Sequence, residues 1–142
     1  MTSPTEQSMQ LADRYVALWN ERDPDRRRAA IAELWTEDGM HILQPPQEMR
    51  EIAVRPGIGL TAWLEARGHA ALEARAASAY GEFIAPGEFR FRRRDNVERL
   101  ADVVKFNWEM VSEDGEVAGV GLEFLVLGPD GRIERDYQFI ES

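Results

Sequence analysis

The sequence predicts an α+β domain in which helices pack on one face of a meandering sheet. Two observations carry that expectation. Residues 11–43, LADRYVALWNERDPDRRRAAIAELWTEDGMHIL, keep a helical period up to Trp35 and then turn to strand. From Phe89 onward the chain alternates in strand fashion and is broken by two Asp-Gly turns.

Leu11, Tyr15, Leu18 and Trp19 recur at helical spacing and form one apolar stripe. They place a first helix near Gln7–Asn20, behind a loose tail from Met1 to Glu6. Asp23 can cap a second helix, Asp25–Leu34, with Pro24 at its first position, where a missing N–H costs nothing. Met40–Leu43 follows as a short strand. Gln44–Leu64 holds Pro45-Pro46 and Arg55-Pro56-Gly57-Ile58-Gly59. A connection of that length is either a lid or disordered, and Trp63 within it can close over a ligand or anchor the loop. Gly68–Phe83 is helical, with Leu72, Ala76, Ala79, Tyr80 and Phe83 on one side, and Pro86-Gly87 ends it. Phe89–Arg93 opens the sheet. Leu100–Val111, Glu116–Leu127 and Arg132–Ile140 are then three antiparallel strands, joined at Glu113-Asp114-Gly115 and Pro129-Asp130-Gly131.

Composition narrows the function classes. At 142 residues, with a 44% hydrophobic fraction, residues 1–142 form a single domain with a real core. No apolar run is long enough to span a bilayer, and no signal-peptide pattern follows Met1. The chain has no cysteine, which excludes disulfide and thiolate chemistry and fits a cytoplasmic location. The formal charge of −9 argues against nucleic acid and anionic membranes as partners. The two histidines, His41 and His69, lie far apart, so no closed metal-ligand set is expected and no cofactor is implied. Arg90, Arg92, Arg93 and Arg94 read as a solvated edge strand, where charge discourages stray pairing.

Strand alternation sorts the C-terminal side chains into two sets. One is apolar: Val104, Phe106, Trp108, Met110, then Ala118, Val120, Leu122, Phe124, Val126, then Ile133, Tyr137 and Phe139. The other carries Lys105, Asn107, Glu109, Glu123, Glu134, Asp136 and Gln138. On pattern alone the apolar set packs on the helices and the polar set meets water.

RYVALWNERD followed by ELWTEDGMHI resembles the nuclear transport factor 2-like superfamily, which includes ketosteroid isomerases, SnoaL-like polyketide cyclases and limonene epoxide hydrolases. The resemblance implies a curved antiparallel sheet wrapped by three helices, a cone with an internal pocket. It also turns the faces round: the polar set lines the pocket, and the aromatic set, with Phe106, Trp108, Phe124 and Tyr137, becomes the interface of a homodimer. The fold is shared by many chemistries, so the reaction rests on individual residues.

Tyr15 falls where the isomerases place an oxyanion-binding tyrosine. Its phenol can donate to a carbonyl oxygen as charge develops there, or it can be a core tyrosine bonded to backbone. Glu123 matches the isomerase acid. Burial would keep it protonated, while Lys105 across the ladder would make it half of an ion pair. Asp136 and Gln138 match the His-x-Asp pair of the cyclases, and Asp136 is a candidate base. The isomerase base position itself falls near Leu43 or Gln44, neither of which can take a proton. His41, two residues before Leu43, can replace it or be structural. Lys105-x-Asn107 has the spacing of the epoxide hydrolase Arg-x-Asp pair, without its acid. The resemblance therefore implies a small, largely apolar, carbonyl-bearing ligand and cofactor-free isomerase or aldol-cyclase chemistry. Asp136 or His41 serves as base, Tyr15 as oxyanion donor and Glu123 as acid, with Lys105, Asn107 and Gln138 orienting the ligand. The alternatives are a non-catalytic ligand-binding or dimeric accessory protein, and an epoxide hydrolase.

Overall fold

The computed structural model describes residues 3–44 and 64–141. The expected gate within Gln44–Leu64 and the ligand contact of Trp63 lie outside the described residues, Gln44 and Leu64 apart. Three α-helices lie against a curved, unclosed sheet: α1 Pro4–Asn20, α2 Pro24–Leu34 and α3 His69–Ala79. The strands are β1 Trp35–Leu43, β2 Leu64–Arg67, β3 Phe89–Arg93, β4 Glu98–Leu100, β5 Val103–Ser112, β6 Val117–Leu127 and β7 Ile133–Ile140. They run in the order β2-β1-β7-β6-β5-β3, with β4 paired to β5.

Local chemistry accounts for the ends of the helices. Asp23 caps α2 by accepting from the Asp25 amide, with Pro24 at the first position as expected. The N-terminal tail is shorter than expected. Ser3 caps α1 through the Glu6 amide, so the helix begins at Pro4 rather than after Glu6. Strand β1 also starts earlier, at Trp35, and runs through Gly39. A Cβ at Gly39 would lie 2.7 Å from the Trp35 ring, so only glycine lets the strand pass there. Helix α3 continues into a π-helical turn, Tyr80–Ile84, a wide turn of the kind that often re-aims side chains at functional sites. His69, which reads as a surface residue in the sequence, is half-buried, its Nε2 3.1 Å and 3.0 Å from the carbonyls of Trp35 and Thr36.

Two features of the sheet depart from expectation. The sheet is mixed rather than antiparallel, because β1 runs parallel to β7. The two faces are also mixed. Between Met110 and Val111 the β5–β6 register shifts, with Ala118 as the extra residue. One extra residue turns every later side chain to the other face. Val104, Phe106 and Trp108 therefore stand opposite Leu125, Glu123 and Gly121, facing the helices together. A second shift at Glu134 puts Ile133 on the same face as Asp136 and Gln138. The pocket side takes its apolar half from β5 and its polar half from β6 and β7. Phe106 and Trp108 are therefore interior residues, which removes them from the expected dimer face. Phe124 and Tyr137 stay on the outer face with Phe139, whose ring packs 5.8 Å from that of Phe124.

The core is continuous from α1 to the sheet. Tyr15 lies between Trp35 and Phe106, with ring centroids 5.8 Å from each. Gly121 makes room for the Trp108 indole, since a Cβ there would meet it at 2.1 Å. Gly121 thus leaves room for a side chain of this chain. Gly121→Ala is expected to cost about 1–3 kcal/mol in urea unfolding through this overpacking, and to shift the tryptophan emission as the indole moves. Wild-type stability and emission would mean that Trp108 is not held there.

Candidate functional site

Between α1, α3 and the inner face of the sheet lies a cavity of about 380 Å³. Most of its wall is apolar, from Val16, Leu43, Ala79, Phe83, Phe91, Met110 and Ile140. Its polar lining comes from Tyr15, His41, Gln44, Arg75 and Gln138, with the indole of Trp108 beside them. A mostly apolar pocket of this size with a few convergent polar groups suits one small organic molecule.

Behind that wall, out of reach of solvent, Glu123 and Asp136 are both 0% exposed. They come from adjacent strands: Glu123 pairs with Gln138, and Asp136 with Leu125. The Tyr15 hydroxyl sits between them, 3.0 Å from Glu123 Oε2 and 2.5 Å from Asp136 Oδ2. The Trp108 indole donates to Glu123 Oε1 at 2.8 Å. A phenol has one proton to give. If Tyr15 donates to Asp136, the contact with Glu123 needs a proton on Glu123, which then donates to the phenol oxygen. Burial, then the charge of Asp136 and the hydrogen bond with it, raise the Glu123 carboxyl well above its usual value, against the pull of Trp108 and Tyr15. Burial and the two carboxyls likewise push the Tyr15 phenol well above 10.0, so it stays protonated. The chain is therefore Glu123 to Tyr15 to Asp136: two carboxyl groups sharing one acidic proton across a hydroxyl.

His41 stands beside Asp136 because β1 is parallel to β7 and pairs these two residues. Arg75 donates to His41 Nδ1 at 3.0 Å. The proton of the neutral ring is then on Nε2, which donates to Gln138 Oε1 at 2.9 Å. Nε2 is also 3.7 Å from Asp136 Oδ2. Burial lowers the imidazole below its usual value. Asp136 and the Gln138 bond oppose this, and the charge of Arg75 adds to it. In this arrangement the ring donates on one side, is capped on the other, and has no free lone pair for a substrate proton.

The fold brings Tyr15, His41, Glu123, Asp136 and Gln138 together. Lys105 and Asn107 are not among them. Both project from the opposite side of β5: Lys105 pairs with Phe124 rather than Glu123, and Asn107 bonds Asn96 and the Gly121 carbonyl. The expected Lys105–Glu123 ion pair is thus replaced by Tyr15 and Trp108, and neither Lys105 nor Asn107 can orient a ligand in this cavity. Arg75 and Trp108 belong to the site, although Arg75 is not among the residues expected there and Trp108 is expected on the dimer face. Arg75 had a legible signal, since it falls on the apolar stripe of Leu72, Ala76 and Ala79. Trp108 had none, because only the register shift puts it beside Glu123.

One cluster bears on metal binding. His41, Glu123 and Asp136 each offer a ligand atom within 4.8 Å of the others, a convergence that their positions in sequence do not reveal. The Tyr15 hydroxyl fills the gap between the carboxyls, and the Arg75 cation caps the imidazole, so the donor set fits a proton network better than a divalent ion.

No family model matches the sequence, and no curated protein matches it. Solved structures do. A proposed isomerase of the SnoaL-like family from Agrobacterium tumefaciens is 23% identical, with a TM-score of 0.75 over 96% of this chain and 98% of that one. A proposed SnoaL-like polyketide cyclase from a Jannaschia species is 16% identical, with a TM-score of 0.62 over 99% and 90%. A protein of ketosteroid isomerase-like fold from Catenulispora acidiphila, solved with trimethylamine, is 11% identical, with a TM-score of 0.59 over 97% and 86%. These likenesses define the class of fold, the nuclear transport factor 2-like cone. The chain shares this fold with the SnoaL-like and ketosteroid isomerase-like structures named above. No helix among the described residues is long and apolar enough to cross a membrane.

Proposed function

We propose that this protein binds a small, largely apolar, carbonyl-bearing molecule in the cavity and moves a proton on it without a cofactor, in the manner of an isomerase or aldol cyclase. One observation carries this reading: a buried carboxyl pair bridged by the hydroxyl of Tyr15, the one phenol that also lines the apolar cavity among the described residues. Tyr15 is the only member of the Glu123–Tyr15–Asp136 chain that reaches the ligand. A proton leaving a carbon next to a carbonyl enters the Tyr15 oxygen while the phenol's own proton passes to Asp136. In the reverse direction, Tyr15 donates to the ligand and takes its replacement from Glu123 or Asp136. The same phenol both takes and returns the proton, so the net change is a proton shift within the ligand. The side-chain NH₂ of Gln138, whose Oε1 accepts from His41, is the donor available to hold the carbonyl oxygen.

The test is a screen of β,γ-unsaturated ketones and polyketide-like esters, followed by ultraviolet absorbance. Appearance of a conjugated product supports the reading; binding without turnover of any of them sinks the chemical half of it. The capped imidazole and the sealed carboxyls favour the second reading, a ligand-binding protein that performs no reaction. Epoxide hydrolysis ranks below both, because the Lys105-x-Asn107 pair faces away from the cavity.

A further inference from the structure

Arg75 is a cation lining the cavity, and no carboxylate among the described residues pairs with it directly; the charge of Asp136 acts on it only across the His41 ring. It is half-buried on α3, in a largely apolar wall, and enters none of the ion pairs formed among the described residues. Among the described residues, its hydrogen bonds all come from Nη1: to His41 Nδ1 at 3.0 Å, to the His41 carbonyl at 2.9 Å and to the Leu64 carbonyl at 3.4 Å. Among the described residues, Nε and Nη2 have no hydrogen-bond partner. A guanidinium has five N–H donors, and the two nitrogens left over form the side-on fork that matches the two oxygens of a carboxylate. Lining the cavity with such a fork is costly unless an anion completes it.

We propose that the ligand is an apolar carboxylic acid whose carboxylate seats on the Nε–Nη2 edge of Arg75. This rests on the cavity reading above and adds the class of ligand. The apolar body lies along Phe83, Phe91 and Met110. The His41 ring is all that separates Arg75 from Asp136, with 3.0 Å on one side and 3.7 Å on the other. A ligand anchored there presents the atoms nearest its acid end to Tyr15. A keto acid or unsaturated acid is the substrate this geometry selects. Through Nη1 the bound acid also braces the imidazole, which ties ligand capture to the orientation of His41.

Isothermal titration calorimetry with 2-naphthoate, 2-naphthamide and 2-acetylnaphthalene decides the point, because the three share a shape and differ in charge. The wild-type protein is expected to bind the acid about tenfold or more tightly than the amide or the ketone, with added sodium chloride weakening the acid alone. Arg75→Met removes that preference, so that the acid and the ketone then bind within about threefold of each other. Arg75→Lys restores part of the preference, since it returns the charge without the fork. Equal affinity of the wild-type protein for acid and ketone overturns the carboxylate anchor and leaves the cavity reading standing. If none of the three binds, both fall. Should Arg75→Met fail to fold, the comparison of the three probes on the wild-type protein decides alone.

Discussion

Tyr15→Phe is expected to lower turnover of any ketone or ester found active by about a hundredfold or more, while the protein stays folded. The phenyl ring keeps the packing between Trp35 and Phe106. What disappears is the oxygen that links Glu123 to Asp136 and connects both to the cavity. The carboxyls then sit behind a wall with no route out. Losing the hydroxyl also leaves a buried acceptor short of a donor, at a cost of about 1–3 kcal/mol. Circular dichroism and urea unfolding check that the fold survives, and stopped-flow absorbance reads the chemical step. Asp136→Asn should reduce turnover at least as much, because an amide cannot accept the proton. Full activity in both variants would remove the relay from the mechanism.

Glu123→Gln should make the protein more stable than wild type at neutral pH, by a margin that grows with pH. The glutamine amide reproduces the protonated acid: its carbonyl accepts from Trp108, and its NH₂ donates to the Tyr15 oxygen. In wild type, burial and then Asp136 raise the Glu123 carboxyl above the 4.5 of a free side chain. The unfolded chain therefore releases this proton at lower pH than the folded one does. Below the unfolded value the contribution of the neutral acid is complete. It is lost as pH rises towards and through the folded value, at up to about 1.4 kcal/mol per pH unit. Glutamine has no proton to lose, so its curve lacks this decline. Urea midpoints for the two proteins should converge near pH 4 and separate by pH 7. Parallel curves would show that Glu123 is ionised in the folded protein and that Tyr15 does not receive its proton.

The helices were legible because their signals are local. The Asp23-Pro24 start and the Leu11–Trp19 stripe each act within a few residues, and both appear in the structure as read. The hairpin turns were legible for the same reason, with Gly115 and Gly131 at positive φ. The sheet faces were not. Alternation fixes which side chains share a face within one strand, and register fixes how strands combine. The shift at Ala118 sets how β5 and β6 combine, and no period within either strand records it. The parallel pairing of β1 with β7 was hidden too, since nothing near His41 marks Asp136 as its neighbour. Family resemblance placed Tyr15, Glu123 and Asp136 in the pocket region. Their arrangement as one proton chain behind a wall, with Arg75 holding His41 in front, depends on contacts that span the whole fold.

The Tyr15–Asp136 bond joins residues 121 positions apart. β7 follows all the other described strands in chain order, yet it lies in the middle of the sheet, between β1 and β6. Until it emerges, β1 and β6 have open edges, Tyr15 has no Asp136 to donate to, and the cavity lacks its Gln138 wall. A nascent chain is thus without the site until Ile133–Ile140 has been made. It gains the carboxyl pair, the sheet's continuity and the cavity in one late docking event, of the long-range kind that folds slowly. Growth of ligand binding during refolding should consequently follow the slowest phase, with no partly active species ahead of it.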